Sequence, residues 1–448
     1  MPRIELQTTM FKLILEHPAL FTPEYFSFAR RYGFLREFFV KLQLSALCRS
    51  KRMPTKFRDA IRDKKLMRLL RLASRLSPWR DKIRNNAFAS QGPLFQLRSL
   101  PVMTKDELRR TPIESRTDGG ISSRFGVLNQ TSGSTGEPIV FYTDKRLFVH
   151  NLASLFRIAG IEGISCKSVI HLWPSFNPNL FFENCFYAKT LEDLRAQRKA
   201  IYALVSDPKS IIYGFPSLIR FLSDMAEEDG VSLRPKLIIV AGETLTPGMR
   251  LFLQERFCCK IVNQYGCREI SVMAGECESG RFHENSEDVI IEVVSEDGTL
   301  LKKGEVGKLV ITGLNSLIAP VIRYQLGDRG FFYDDACPCG NTLPSFNFDG
   351  RTHDVEPIFL PDGVHISPYK LTGIFNRRFE KIRQYQINHW APYSFMVYIV
   401  PTEKFNRDDE SEILSDFKQV AKNCQVLLSC VASIESKGAK AVPYIKSF

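Results

Sequence analysis

The spacing of apolar positions along the chain changes character several times, and each change predicts a different kind of structure. Residues 1–90 carry short apolar bursts among charges. Residues 64–76 repeat apolar side chains at helical spacing, and Pro23-Glu24-Tyr25 opens another helix. Residues 100–108 read as a strand end followed by a helix, with Thr104 as N-cap and Glu107 completing a capping box. Two short apolar runs, 125–128 and 139–142, flank a polar stretch and predict strand–loop–strand. From 145 to 260, helices alternate with short apolar strands such as 168–173 and 237–240. That alternation predicts a largely parallel sheet with helices on its faces. Residues 289–350 read as antiparallel strands (289–294, 307–312 and 329–333) joined by turns such as 296–298, a β-rich subdomain. After Gly350 come strands at 382–389, 393–400 and 426–434, a helix at 410–422, and a basic, glycine-containing loop at 437–446. The fold class is α/β, with a large N-terminal domain and a small α+β C-terminal one.

Composition narrows this picture. The chain has 448 residues, of which 44% are hydrophobic and 34 are Phe, enough for more than one sizeable core. No run of about 18 apolar residues predicts a membrane span, and the first residues do not fit a secretory signal. Eleven cysteines, an odd number scattered through a long chain, predict reduced thiols and a cytoplasmic setting. The formal charge of +12 favours acidic small molecules, nucleic acid or an anionic membrane surface. Much of it lies in residues 30–71, in what read as amphipathic helices. A solvated helix face and peripheral membrane docking both account for them. No nucleic-acid-binding motif is present, so nucleic acid is not an expected partner.

The loop between the two early strands is Thr131-Ser-Gly-Ser-Thr-Gly-Glu-Pro138. Gly133 and Gly136 alternate with the hydroxyls of Thr131, Ser132, Ser134 and Thr135. Glycine lets the backbone turn sharply near a ligand, and successive N–H groups with hydroxyls form an anion cradle. It is neither GxxxxGK[ST] nor GxGxxG. Taken alone, it satisfies an ordinary polar hairpin turn equally well.

Several segments together resemble the adenylate-forming superfamily, in its phenylacetate–CoA ligase-like and CapK-like branch. They are the 131–138 loop, Tyr265-Gly-Cys-Arg-Glu269, Arg323-Tyr-Gln-Leu-Gly-Asp328, Gly350-Arg351 and Lys440, in that order, over residues 95–446. Leu100-Pro-Val-Met-Thr-Lys105 and Cys337-Pro-Cys-Gly340 resemble the same branch. The resemblance implies residues 1–94 as a helical part of the large domain and 95–349 as the adenylate-forming core. It implies a hinge at 350–354 and a mobile lid domain at 355–448. The implied reaction is activation of a carboxylic acid by ATP, with pyrophosphate as leaving group and CoA as acceptor. A small amine or alcohol acceptor is the close variant.

The chemistry needs little from the protein beyond holding anions. A carboxylic acid of pKa near ~4 is already ionised at neutral pH and needs no general base. The site must align two anions and neutralise the charge that builds up. The resemblance assigns Thr131, Ser132, Gly133, Ser134, Thr135 and Gly136 to the phosphates, and Glu269 to Mg2+, a hard cation that takes oxygen ligands. It gives Asp328 to the ribose hydroxyls, Tyr265 with Gly266 and Asn263 to adenine, and Lys440 to the α-phosphate and substrate carboxylate. Gly242, Glu243 and Arg351 complete the nucleotide-binding set. Trp173, Phe176, Phe181, Phe215 and residues 241–244 are candidates for the acyl pocket, which suggests an aromatic or otherwise apolar-bodied acid.

This sequence departs from the family pattern in places. Glu137 stands where many relatives have Lys, and removes a phosphate-neutralising charge. Arg268 stands where Ser or Thr is usual, and can itself bind phosphate. His353 replaces the hinge aspartate. Those departures motivate a contrasting reading, a non-catalytic nucleotide-binding or membrane-docked protein on a degenerate ligase scaffold. A second constellation joins Cys277, His283, Cys337 and Cys339. Three thiolates and one imidazole make a closed tetrahedral zinc site of structural type. Four reduced side chains with no metal are the plainer alternative.

Overall fold

The structure, a computed structural model, describes the chain apart from residues 1–11, 19–32, 52, 78, 85–90, 120–123, 131–138, 162–167, 173–183, 189–190, 352–357, 360–364, 367–370, 372–373, 376–377, 379, 435–443 and 447–448. Its contacts cluster into two compact units. One holds Met1–Ser165 with Val262–Thr352, the other Cys166–Ile261 with His353–Phe448.

The N-terminal region is helical, as the apolar spacing predicts: α1 Gly33–Ser50, α2 Thr55–Ala73, α3 Arg80–Arg84, α4 Pro93–Arg98 and α5 Lys105–Arg110. Thr104 caps α5 in the expected capping box with Glu107. The antiparallel pair β1 (Gly126–Gln130) and β2 (Val140–Asp144) brackets the glycine–hydroxyl stretch, and α6 (Phe148–Ala159) follows.

In the second unit β3 (Ser168–Leu172), β4 (Asn184–Ala188), β5 (Ile211–Gly214) and β6 (Leu237–Ala241) run parallel in the order β4-β3-β5-β6. Helices α7 (Leu191–Ala196), α8 (Arg198–Val205), α9 (Pro216–Glu228) and α10 (Pro247–Phe257) are interleaved with them. Ile170, Leu172, Ile212, Ile238 and Val240 pack against these helices in one buried cluster.

The first unit then continues through β7 (Lys260–Cys267), β8 (Ser271–Glu276), β9 (Phe282–Glu284), β10 (Val289–Val294), β11 (Gly307–Gly313), β12 (Tyr324–Phe332) and β13 (Ser345–Arg351). They pair antiparallel in the order β10-β11-β12-β13-β9-β8-β7. One expected strand is longer than its apolar run. β12 begins at Tyr324 rather than 329, because Gln325 and Tyr324 pair with Val310 and Ile311 across a bulge. The Arg323–Asp328 motif is therefore mostly strand.

Near the C-terminus the two-residue strands β14 (Ile358–Phe359) and β15 (His365–Ile366) pair. Next come β16 (Ile382–Ala391), β17 (Ser394–Pro401), α11 (Arg407–Val420) and β18 (Gln425–Cys430). Helix α11 starts three residues earlier than the apolar pattern marks, because the Asn406 side chain caps it. The loop predicted at 437–446 ends in a strand, β19 (Tyr444–Lys446), which lies parallel to β16.

The reading of the early basic residues as a solvated face holds only in part. Arg58 and Lys65 of α2 are buried. Lys65 Nζ donates to the Glu287 carbonyl (2.5 Å) and lies 3.7 Å from Asp288 Oδ1. From α6, Arg157 Nη1 reaches both Glu287 carboxylate oxygens at 3.1 Å, the Leu47 carbonyl at 3.1 Å and Ser50 Oγ at 3.2 Å. His150 Nε2 lies 2.6 Å from Asp288 Oδ1, and its Nδ1 lies 2.9 Å from Gln43 Oε1. Ser154 and Asn315 donate to the same Asp288 carboxylate. One buried turn, Asn285 to Asp288, thus collects bonds from α1, α2 and α6.

Burial alone would raise the Asp288 carboxyl, but His150, Lys65 and Arg157 outweigh it and hold it well below the usual carboxylate range. Its stabilising contribution is therefore complete above the unfolded aspartate pKa near ~4 and is lost as pH falls through the lower folded value. Arg157→Met strands Glu287 in the interior. We expect it to lower the unfolding free energy by about 3–5 kcal/mol, read from the urea midpoint of the full chain.

Candidate active site and thiol–imidazole cluster

Hairpin β7–β8 and strand β12 build the candidate site in the first unit. Tyr265 on β7 donates its hydroxyl to Asp328 Oδ2 on β12 at 2.8 Å. The Tyr265 ring stands edge-on to Phe348 (4.6 Å between centroids) and Phe346 (6.0 Å), which fixes its plane. Asp328 is only 7% exposed and sits opposite Arg351 of β13 in the backbone register.

Glu269 lies in the β7–β8 turn, between Cys267 and Ser271. Burial raises its carboxyl above the usual range, against its own backbone N–H, the neighbouring Cys267 thiol, the nearby charge of Lys105 and the polarity of Tyr324. Arg116 feels the same carboxylate. Its Nε donates to the Thr111 carbonyl at 3.3 Å and its Nη2 to the Val140 carbonyl, at the start of β2. Ile139, one residue earlier, packs in the same core as Met273 and Tyr324. The base of the glycine–hydroxyl hairpin and the Glu269 turn thus share one packed neighbourhood. Arg268, beside Glu269, is half-buried, as is Asn263 on β7.

Gly266 is fixed by space. A Cβ there would lie 2.2 Å from the Ser271 carbonyl oxygen and 2.5 Å from Gln264 Nε2. In the second unit, Gly242 has φ of +77°, a left-handed conformation suited to glycine. Glu243 next to it accepts from Ser217 Oγ (2.9 Å) and Ser217 N (3.1 Å), and so caps the start of α9. Phe215 is buried in that unit's core.

Residues 131–136, Glu137, Trp173, Phe176, Phe181, His353 and Lys440 lie outside the described residues, as does the Arg351 side chain. Three residues at the Glu269 turn carried no assigned role in the sequence. Lys105 and Tyr324 sit inside quoted motifs, which was their only signal. Arg116 had none.

The four sulfur and nitrogen ligands come together. One ligand atom from each of Cys277, His283, Cys337 and Cys339 lies within 4.8 Å of all the others. Cys277 Sγ and Cys337 Sγ are 3.6 Å apart, and Cys339 Sγ is 3.2 Å from His283 Nε2. Tetrahedral zinc bonds of about 2.0–2.3 Å imply ligand–ligand edges of roughly 3.3–3.8 Å, so this donor set fits. Two similar turns present the thiols. The Cys277 carbonyl accepts from Gly280 N and the Cys337 carbonyl from Gly340 N, both at 3.0 Å, and both glycines have positive φ. His283 Nδ1 lies 3.0 Å from the Leu343 carbonyl, which leaves Nε2 facing the thiols. Burial opposes ionisation at Cys337, but hydrogen bonds from Cys339 and Cys277 hold its thiol below the usual range. Burial and its thiol neighbours push Cys339 up to about 12. The described cysteines form no disulfide.

No family model matches this sequence. The chain is 26% identical over 340 residues to a phenylacetate–coenzyme A ligase of Thermus thermophilus, covering 69% of this chain and 76% of that protein. It is 23% identical over 266 residues to protein CapK of Staphylococcus aureus, covering 55% and 56%. A solved 2-hydroxyisobutyryl-CoA ligase, in the postadenylation state with an acyl-AMP, superposes with a TM-score of 0.72 at 20% identity, over 88% of this chain and 90% of that one. The fold is that of an adenylate-forming ligase. The chain is thus similar in sequence to a phenylacetate–CoA ligase and to CapK, and in fold to an adenylate-forming ligase.

Because no side-chain volume is available at position 266, we expect Gly266→Ala to destabilise the chain by roughly 1–3 kcal/mol, seen as a lowered melting temperature.

Proposed function

We propose that this chain activates a carboxylic acid with ATP, releases pyrophosphate and passes the acyl group from the adenylate to CoA. The observation that carries the reading is the Tyr265–Asp328 contact beside the Glu269 turn. It brings Asp328, 63 residues on, to the hairpin that carries both Tyr265 and Glu269, and the reaction needs the three together. In this reading Asp328 holds the ribose and Tyr265 borders the adenine. Asn263 bonds the base edge, and Gly242, Glu243, Gly266 and Arg351 shape the surrounding nucleotide contacts.

The 131–136 backbone and hydroxyls hold the phosphates, with Arg268 as a further cation. Lys440, on the small domain beyond a hinge at 350–354, meets the α-phosphate and the substrate carboxylate. The small domain then turns to admit CoA. Glu269 would hold Mg2+, which supplies charge neutralisation between phosphate oxygens when bound. Support comes as well from one relative named as a phenylacetate–CoA ligase and from a solved CoA ligase of the same fold that binds an acyl-AMP.

Acid-dependent exchange of labelled pyrophosphate into ATP tests the first half-reaction. We expect exchange in the wild type and a loss of about 10²–10³ in kcat for Lys440→Ala and Glu269→Gln. Exchange that is absent with every acid in a broad panel removes the reading in favour of a non-catalytic nucleotide binder. Product formation without CoA would instead point to an amine or alcohol acceptor.

Cys277, His283, Cys337 and Cys339 would hold a structural zinc ion, closing all four positions. The supporting observation is the donor geometry around His283 and its Leu343 partner. One zinc per chain by atomic absorption is the expected result, with a lower melting temperature on chelation. Metal-free protein of unchanged stability excludes it. No helix among the described residues is long and apolar enough to cross a membrane. A cytoplasmic setting accords with the reduced thiols. Peripheral contact with anionic lipid, if present, would use the exposed Lys56, Lys64 and Arg71 of α2.

A further inference from the structure

The antiparallel pair β1–β2 stands apart from the large sheet. Among the described residues its two strands pair with each other and with no other strand. A two-stranded ribbon is marginal by itself, so other contacts must seat it. Ile139 and Phe141, 3% and 4% exposed, do part of this. Apolar contacts are non-directional, so they hold the ribbon down without fixing its position along the core.

The directional tie is Arg116. It ends a one-turn 3₁₀ helix, Ile113–Arg116, and is 6% exposed. Its Nη2 donates to the Val140 carbonyl and its Nε to the Thr111 carbonyl at 3.3 Å. Val140 is the register partner of Gln130, so the guanidinium grips the ribbon at the last rung before the glycine–hydroxyl stretch. The segment carrying Arg116 is itself anchored at both ends. Thr111 donates through its N (3.1 Å) and its Oγ1 (2.7 Å) to the Glu107 carbonyl of α5. Asp118 N donates to the Ile318 carbonyl at 2.9 Å. Ile318 lies in the β11–β12 connection, just beyond Gly313. A Cβ at Gly313 would lie 3.0 Å from Cγ1 of Ile270, the residue after Glu269. Burial lowers the pKa of the guanidinium, and the nearby Tyr324, Glu114 and Glu269 oppose it.

Packing does not ask for a charge here. An apolar side chain of similar length would fill the space without the cost of burying a cation. What arginine adds is a planar fork that bonds two carbonyls at once. We propose that Arg116 is a positioning residue for ATP: it fixes the β1–β2 ribbon, and with it residues 131–136, relative to the Glu269 turn. This rests on the ligase reading above and adds to it the residue that keeps the two phosphate-side elements in step. Arg116 acts through Val140, not by touching the nucleotide. Groups that must grip one triphosphate lose up to about a hundredfold when one is misplaced by roughly 1 Å.

The test uses the full chain with Mg2+ and ATP. Arg116→Gln removes the charge and the fork, whereas Arg116→Lys keeps a cation and a donor. Calorimetric titration with ATP should show affinity lowered by about tenfold or more in Arg116→Gln, and by less in Arg116→Lys. Pyrophosphate exchange is run with phenylacetate, or with whichever acid of the panel the wild type accepts. The KM for ATP should rise in the same order while the KM for the acid stays unchanged. Hydrogen exchange read by mass spectrometry should quicken in Arg116→Gln over 126–130 and 140–144 and stay fixed over 289–294. A merely structural arginine would lower the melting temperature and the active fraction without separating the two KM values. ATP affinity unchanged in both variants, or an equal loss for ATP and acid, overturns the inference. If Arg116→Gln does not fold, Arg116→Lys carries the comparison, and failure of both to fold makes the residue structural and overturns it too. A wild type that binds ATP but exchanges with no acid sinks the ligase reading, and the ATP affinities of the variants then decide the positioning role. A wild type that binds no ATP sinks both.

Discussion

The first unit depends on a buried ion pair. Arg157 on α6 and Glu287 in the turn before β10 are both 1% exposed or less, which shuts bulk solvent out of the pair. Burying two charges costs several kcal/mol each unless their remaining donors and acceptors are bonded. Here Leu47, Ser50 and Asn285 satisfy the guanidinium further, while Ser50 also donates to Glu287. Those partners come from a helix and a turn more than two hundred residues apart in sequence. The charge pair therefore acts as a register mark. It admits one seating of α1, α2 and α6 on the β-rich region, where apolar contacts alone would tolerate several.

That seating reaches the thiol–imidazole cluster. Arg58 on α2 donates to Thr342 Oγ1 at 3.0 Å and to the Thr342 carbonyl at 3.1 Å, and Thr342 Oγ1 donates to the Lys51 carbonyl at 2.7 Å. Leu343, the next residue, supplies the carbonyl that faces His283. The α1–α2 junction is thus docked on the same loop that carries Cys337 and Cys339. Helix seating and thiol geometry are coupled through two adjacent backbone carbonyls.

The strand and helix pattern was legible in the sequence because it is local. The short apolar runs at 289–294 and 307–312, helical spacing at 64–76 and the Thr104 capping box each follow from neighbouring residues. The thiol–imidazole set was legible because few other chemistries use three cysteines and a histidine in two turn-rich segments. The charge network was not. Asn285-Ser-Glu-Asp288 reads as a solvated polar turn, and only the fold brings Arg157, His150 and Lys65 onto it. Glu243 has a tie that its neighbours in sequence do not announce: its carboxylate caps α9 through Ser217, a partner 26 residues earlier.

Arg323 shows how the candidate site is held in place. It is 3% exposed and has φ of +44°, a left-handed conformation that costs a non-glycine residue of order 1 kcal/mol or more. The side chain offsets that cost. Its Nε donates to Glu292 Oε2 at 3.2 Å, its Nη1 to the Arg98 carbonyl at 3.0 Å and to that of Leu100, and its Nη2 to the Gly298 carbonyl at 3.0 Å. Its own carbonyl accepts from Met103 N at 2.8 Å. One strained residue thereby ties the segment ending in Lys105 to the start of β12. Lys105 and Tyr324, on either side of that tie, are two of the groups that act on Glu269. The left-handed turn is best understood as the constraint that keeps the carboxylate's neighbours together before any ligand arrives.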